Sequence, residues 1–375
     1  MPPRVWLVLG DKQGDNSQAE ALAAALPWSC ERRRIALQPQ WVLGKPKVEP
    51  SLHHLDLERS DPLEPPWPDL ILTIGRRPCM VALWIREQSA GRSRVVLLGK
   101  PSGMMQSFDL VIGSAEVQLP PLSNVFKIGL PLMRVDPDAV ARAAEAWRER
   151  FAELPRPLHA FLVGGPTGPF RFDARVLERL LSLARRVAAE GGTPYVTTSR
   201  RTPPQVVDSL IERLPSGARL FRWSAQASEN PYAGLLGLAD GFVVTGDSIS
   251  MLVEVARLGR PLAILPLSAG PLGRLDQIRR ELARWLFAPE GERSRDHLRR
   301  RAARALFHMG LVGHTRDFGA VHRWLVARGL AVWAGEPLAP PRGEIPDDRG
   351  RAAARVRALM EGPGAPARAP AGSDA

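Results

Sequence analysis

An α/β fold of two parallel-sheet domains is predicted by three observations. Short apolar, often β-branched runs recur, each followed by a glycine-bearing polar loop and a helix. That order builds parallel sheets whose ligand loops lie at the carboxyl ends of the strands. The pattern halts at Pro155-Arg-Pro157 and then restarts. At 375 residues the chain also exceeds what one ordinary core holds. The expected division is 1–153 for a first domain and 154–290 for a second, the two facing each other across a cleft. Residues 291–334 are expected to form helices packing back on the first domain, and 335–375 a largely disordered tail.

In the first half, Val5–Leu9 reads as a strand, followed by Gly10-Asp-Lys-Gln-Gly-Asp-Asn-Ser-Gln18 and a helix to about Leu26. The loop has no GxGxxG and no Walker sequence, so dinucleotide or P-loop binding is not supported there. It does gather Asp11, Lys12, Asp15 and Asn16 at a strand end, Asn16 or Ser17 also being fit to cap the helix. Residues 38–68, rich in Pro and Trp, read as an irregular connection in which His53 and His54 carry no ligand signal. Asp69–Ile74 is the next strand, ending in Gly75-Arg76-Arg77 before a helix to about Arg86. Val95–Leu98, Leu110–Ile112 and Val125–Ile128 complete a sheet of about five strands. Val135–Glu153 is a helix, and Asp136-Pro-Asp138 suits its cap better than a metal.

In the second half, His159–Val163 leads into Gly164-Gly165, and Pro194–Thr197 into Ser199-Arg200-Arg201. Two adjacent Arg at a strand end suit phosphate. Gly241–Val244 then leads into Thr245-Gly246-Asp247-Ser248 and a helix to Leu258, with Pro261–Leu265 as the following strand. That helix is apolar over most of its circumference, yet Asp247, Ser250 and Glu254 form one stripe. The first-turn N–H groups and the helix dipole suit a phosphate. A carboxylate one to two turns further in suits a pair of sugar hydroxyls. The alternative is that Asp247 or Ser248 caps the helix and Glu254 pairs with an Arg.

Composition narrows the class. The 45% apolar and 24% charged residues are those of a soluble globular chain. Cys30 and Cys79 are the only cysteines, without metal-ligand spacing, so neither structural zinc nor a disulfide framework is expected, and a reducing compartment fits. No run is apolar enough to span a membrane, and with a strand by Val5 no leader is expected. The net charge of +12, almost all from Arg, permits anionic lipid, nucleic acid or phosphorylated substrates as partners, and coding bias toward Arg accounts for it equally well.

At this point a resemblance emerges. The sequence Asn230-Pro-Tyr…Ala-Asp…Val-Thr-Gly-Asp-Ser…Ser-Met…Glu-Val-Ala…Gly-Arg-Pro is similar to that of the mitochondrial-fission (elongated-mitochondria) family. So are Thr197-Thr-Ser-Arg-Arg-Thr-Pro203, Gly10-Asp-Lys…Gly-Asp-Asn…Gln18 and Gly75-Arg-Arg77, in order over about residues 4–330. Plant founders of that family act in organelle division, and bacterial members are grouped with glycosyltransferases of the two-Rossmann GT-B type. The second-domain motif also resembles the donor site of transferases that use UDP-N-acetylglucosamine, where a Glu at the place of Glu254 binds the ribose. One departure is that such relatives often carry a His as base in the first loop, where this chain offers Asp11 and Asp15.

The resemblance implies a GT-B-like, metal-independent transferase moving a sugar from a nucleoside diphosphate sugar to an acceptor hydroxyl, with no cofactor required. Asp15, ahead of Asp11, is expected as general base. Gly164, Gly165, Ser199, Arg200, Arg201, Thr245, Gly246, Asp247, Ser248, Ser250 and Glu254 are expected on the donor side. Lys12, Asn16, Gly75, Arg76 and Arg77 are expected on the acceptor side. A cytoplasmic protein, peripheral on the inner membrane face and serving a lipid-linked acceptor, is the expected setting, with no specific nucleic acid. The competing reading is a non-catalytic adaptor that recruits a membrane-remodelling protein. An epimerase of the short-chain dehydrogenase type fails, because Tyr195 and Tyr232 are followed at the fourth position by Ser199 and Leu236 and not by Lys.

Overall fold

The structure, a computed structural model, describes residues 2–362 except 44–46, 102–103, 169, 228, 289–295, 310 and 314–315. Two compact units divide the chain, one of Met1–Arg134, Arg280–Arg316 and Asp347–Ala375, the other of Val135–Arg279 and Asp317–Pro346. Each is a Rossmann-like layer structure built on a six-stranded parallel sheet.

Unit 1 holds β1 (Val5–Leu9), β2 (Cys30–Arg34), β3 (Leu70–Ile74), β4 (Arg94–Leu98), β5 (Leu110–Gly113) and β6 (Val125–Lys127), in spatial order β2-β1-β3-β4-β5-β6. Strands β1 and β3 are buried along their whole length, as a parallel sheet covered on both faces requires. Alternation sorts their residues. Trp6, Val8, Ile71, Val95 and Leu97 pack with α2 (Arg76–Gln88) and with Ala283, Phe287 and Phe307. Val5, Leu7, Leu70, Leu72 and Val96 pack with Leu22 of α1 (Gln13–Ala23) and with Ala352, Ala353 and Val356.

Strand β2 escapes the apolar patterning. Its sequence, Cys-Glu-Arg-Arg-Arg, has no apolar alternation because it is an edge strand with a charged, half-buried surface. Its Arg side chains are placed nonetheless. Arg33 lies 4.5 Å over the Trp6 ring and Arg32 reaches Glu20 at 3.1 Å.

Unit 2 holds β7 (Leu158–Val163), β8 (Thr193–Thr198), β9 (Arg219–Phe221), β10 (Gly241–Thr245), β11 (Leu262–Leu265) and β12 (Val332–Trp333), in order β9-β8-β7-β10-β11-β12. Its helices are α3 (Pro137–Ala152), α4 (Ala174–Ala189), α5 (Pro204–Arg213), α6 (Tyr232–Leu238) and α7 (Ile249–Arg257). Helix α8 (Pro271–Leu286) crosses the boundary between the units, α9 (Asp296–His308) belongs to unit 1 and α10 (Phe318–Ala327) to unit 2.

The boundaries depart from those expected. Helix α3 joins unit 2, not the first domain, because it packs against α6 at glycine distance: a Cβ on Gly234 would lie 2.6 Å from Trp147 Cγ, and one on Gly237 2.6 Å from Ala144 Cβ. Of residues 291–334, those to 316 belong to unit 1 and the rest to unit 2, where Val332 and Trp333 extend the sheet against Ala263 and Ile264.

The tail is also more ordered than its composition suggests. Residues 335–346 belong to unit 2, and α11 (Asp348–Glu361) to unit 1, where its Asp348 accepts from Gly129 N at 2.7 Å. Ala352, Ala353 and Val356 are fully buried, small residues whose stripe is masked by the surrounding Arg and Gly. Of the tail expected to be disordered, 363–375 lie outside the described residues.

Candidate functional site at the strand ends of unit 2

The register of unit 2 aligns the carboxyl ends of three strands, with Val163 opposite Thr198 and Leu162 opposite Val244. The loops that follow must therefore meet, and they are tied together by side chains. Thr245 Oγ1 accepts from Gly164 N at 2.8 Å, and Asp247 Oδ2 accepts from Gly165 N at 3.0 Å. Thr202 Oγ1 donates to Gly164 O at 2.7 Å and accepts from Ser199 N at 2.9 Å. A Cβ on Gly164 would lie 2.2 Å from Asp247 Oδ2, and one on Gly165 1.9 Å from Arg201 O. Glycine is required at both by close approach of the neighbouring loops. Their N–H groups are spent on this lacing.

At its centre Asp247 is enclosed, its side chain 0% exposed, and forms an ion pair with the half-exposed Arg201 at 2.7 Å. Burial pushes its carboxyl above the usual range, opposed by Gly165 N–H, Thr245 and Arg201. Arg201 also donates to Thr167 Oγ1, which fixes its guanidinium at the loop surface next to the exposed Arg200. Asp247 and Thr167 thus engage one terminal nitrogen each of a guanidinium that remains accessible from solvent.

Helix α7 begins at Ile249, and neither Asp247 nor Ser248 caps it with a side chain. The capping reading of those residues is therefore not what the structure adopts, and the first-turn N–H groups at exposed Ser250 keep their field for an anion. Glu254, half-buried one turn on, does not pair with an Arg but accepts from the hydroxyl of Tyr232. Burial raises the pKa of both, that of Tyr232 to well above an ordinary phenol's, so the contact joins a neutral phenol to a carboxyl group.

Two residues at this site escaped the sequence reading. In the sequence Tyr232 stands out only within the Asn-Pro-Tyr motif and as a tyrosine without a following Lys partner. His322, on the apolar α10, is buried with its Nε2 2.7 Å from Gly246 O, and a Cβ on Gly246 would fall 2.6 Å from the His322 Cε1. Burial lowers its pKa to about 4, so the ring is neutral at pH 7 and Nε2–H donates to the carbonyl. An isolated His within an apolar stripe offers no sequence signal for such a role.

The residues expected in unit 1 gather at the ends of β1 and β3. Asn16 Nδ2 donates to Gly10 O at 2.9 Å and closes the first loop. Gly75 sits at φ +91°, where a Cβ would be 3.7 Å from Asp15 Oδ2, so the two loops meet at Asp15. Asp15 is half-buried in the first turn of α1, whereas Asp11 and Lys12 are exposed in the loop. Arg76 is exposed, while Arg77 is turned aside and donates to Val42 O at 2.8 Å. Its carbonyl accepts from His54 Nε2 at 3.2 Å, and His54 is fully buried with its pKa lowered to about 4 by burial. Among the described residues no three His, Cys, Asp or Glu side chains converge as a metal centre requires.

The chain is similar to several known proteins. It is 28% identical over 220 residues to the mitochondrial fission protein ELM1 of Arabidopsis thaliana, a match covering 53% of this chain and 51% of the plant protein, so it spans about half the length of that relative. A glycosyltransferase of Rickettsia africae superposes with a TM-score of 0.44 at 9% identity, covering 87% of this chain and 97% of that one. The UDP-GlcNAc 2-epimerase of Methanocaldococcus jannaschii superposes with a TM-score of 0.46 at 10% identity, covering 96% and 100%. The model of the family described as mitochondrial fission ELM1 matches residues 13–291, well over half of the sequence, and the chain therefore belongs to that family.

Proposed function

We propose that the strand ends of unit 2 bind a nucleoside diphosphate sugar and that the protein transfers the sugar to a hydroxyl acceptor. The observation that carries this reading is Arg201, held at the surface by the buried Asp247 beside the uncapped start of α7. Arg200, Arg201 and the first-turn N–H groups of α7 would offset charge building on the departing diphosphate, the kind of term that dominates such transfers. Glu254 lies further along the same helix, where it suits the ribose hydroxyls. Asp15 is the proposed general base, since it is the carboxylate at the junction of the two unit 1 loops. No metal or other cofactor is assigned to the reaction. The acceptor is proposed to be lipid-linked, which would place the protein peripherally on the inner, anionic face of a membrane; the net charge of +12 supports that placement.

Titration calorimetry with uridine diphosphate, its sugars and other nucleoside diphosphates tests the donor reading. Glu254→Ala should weaken binding by roughly 1.5–3 kcal/mol, the cost of losing a charged hydrogen-bond partner. Arg200→Ala with Arg201→Ala should weaken it at least as much. Equal affinity in parent and variants would overturn the site. The competing reading is an adaptor that keeps the site as a relic and recruits a membrane-remodelling protein. The Tyr232–Glu254 contact favours it, because the carboxyl group meant for a ribose already has an internal partner. A complete absence of nucleotide binding would support that alternative.

A further inference from the structure

Eleven large apolar side chains are exposed among the described residues, and seven of them lie between residues 275 and 311. Scattered exposed leucines are ordinary; a concentration of this kind is not. Helix α8 shows how it arises. One stripe, with Arg280, Ala283 and Phe287, turns inward. A second stripe, Leu275, Ile278, Leu282 and Trp285 at positions i, i+3, i+7 and i+10, is bare, with exposures of 62%, 63%, 43% and 61%. Among the described residues this second stripe is left exposed. Leu298 of α9 and Met309 just after it are 65% and 62% exposed, with the exposed Ala302 and Ala305 between them at helical spacing. The two helices are joined within unit 1, where Phe287 and Phe307 meet edge to face at 6.2 Å and Arg299 donates to Ala288 O at 3.3 Å.

Charge selects the partner. Residues 271–311 contain ten Arg against five Asp or Glu. Arg279, Arg284, Arg301 and Arg304 are exposed on these helices, Arg284 lying 3.7 Å from the exposed Glu281. An apolar stripe that includes a Trp and is fringed by Arg matches a helix lying in the plane of an anionic lipid surface, its apolar side chains in the acyl boundary and its cations at the headgroups. No helix among the described residues is long and apolar enough to cross a membrane, so α8 would lie on the surface. A protein partner of the same hydrophobicity would not call for this excess of cations.

We propose that the bare faces of α8 and α9 form the surface by which this protein docks on anionic membranes. The inference rests on the peripheral placement proposed above and assigns it to a named pair of helices. Docking is expected to combine burial of the stripe with attraction to the headgroups, so salt should weaken it without abolishing it.

The test is sedimentation of the full chain with vesicles of phosphatidylcholine containing phosphatidylglycerol, and with phosphatidylcholine alone. The parent should pellet with the anionic vesicles only. Ile278→Ser with Trp285→Ser, which leaves the charge unchanged, should cut binding at least tenfold. Arg301→Ser with Arg304→Ser should do so to a smaller degree, chiefly at low salt. Melting temperatures of the variants should equal that of the parent, since the altered groups are exposed. A parent that never pellets would overturn the peripheral placement and this face together. A parent that pellets with variants that bind equally well would overturn the face alone. If the Ile278, Trp285 variant instead breaks a dimer seen by analytical ultracentrifugation, with vesicle binding absent, the stripe is a contact between copies of this chain and the proposal fails. Nucleotide affinity, measured in parallel, is expected to be untouched by any of these changes.

Discussion

At the scale of single residues, the candidate site in unit 2 is governed by buried polar groups with named partners. Asp247 orients Arg201, Thr202 and Thr245 lace the glycine loops, and His322 supports the Gly246 carbonyl. The His322 ring gives a testable pH dependence. Its folded pKa of about 4 lies below the unfolded value of 6.5, so the native state binds the proton less readily. Its contribution is complete above pH 6.5 and is lost as the pH falls through 4; the difference corresponds to about 3 kcal/mol. His322→Gln keeps an N–H donor for Gly246 but cannot be protonated in this range. Denaturant unfolding at pH 7.5 and 4 should show the variant losing less stability on acidification than the parent. Parallel losses would mean that His322 is not buried neutral.

At the scale of elements, the informative helix is α11. It lies beyond the family match, yet it closes one face of the unit 1 sheet with three buried small residues. Val356 is 0% exposed. Val356→Ala should cost about 1–3 kcal/mol through lost burial and the cavity left behind. Truncation after Pro346 should cost more, since it also removes Asp348 from Gly129 N and uncovers the sheet. Calorimetry on both forms checks this, and an unchanged melting transition would show α11 to be dispensable. Helix α8 illustrates the opposite case, an element whose second apolar stripe is exposed among the described residues.

At the scale of the whole molecule, unit 1 is assembled from three separate stretches of chain, and this decides how the protein can be cut. The N-terminal stretch, Met1–Arg134, contains every strand of its sheet but lacks Ala283, Phe287 and Phe307 on one face and Ala352, Ala353 and Val356 on the other. A fragment of residues 1–134 should therefore retain helix and strand signal in far-UV circular dichroism while binding hydrophobic dye and lacking a cooperative melt. A sharp transition in that fragment would show that the later segments only decorate a core complete without them.

The sequence by itself determined the two parallel sheets, most of their strands, the hinge-like restart and the loops that meet in unit 2. Buried strands and their following glycine turns are local signals, repeated often enough to be read without a partner. It also marked Glu254 and the Arg200–Arg201 pair, because charge inside or at the end of an apolar run is conspicuous on one chain. Tertiary structure alone decided the rest. Strand Cys30–Arg34 is a strand only because β1 lends it hydrogen bonds; its charges suit an edge, and its own pattern is silent. Helix α3 belongs to unit 2 because Gly234 and Gly237 admit it to contact with α6, a fit between residues far apart in the chain. Tyr232 and His322 reach Glu254 and Gly246 only after the fold closes. The physical reason is common to all of these. Periodicity reports which face of an element seeks burial, whereas the partner that covers it is chosen by shape and by unpaired polar groups, neither of which is written locally.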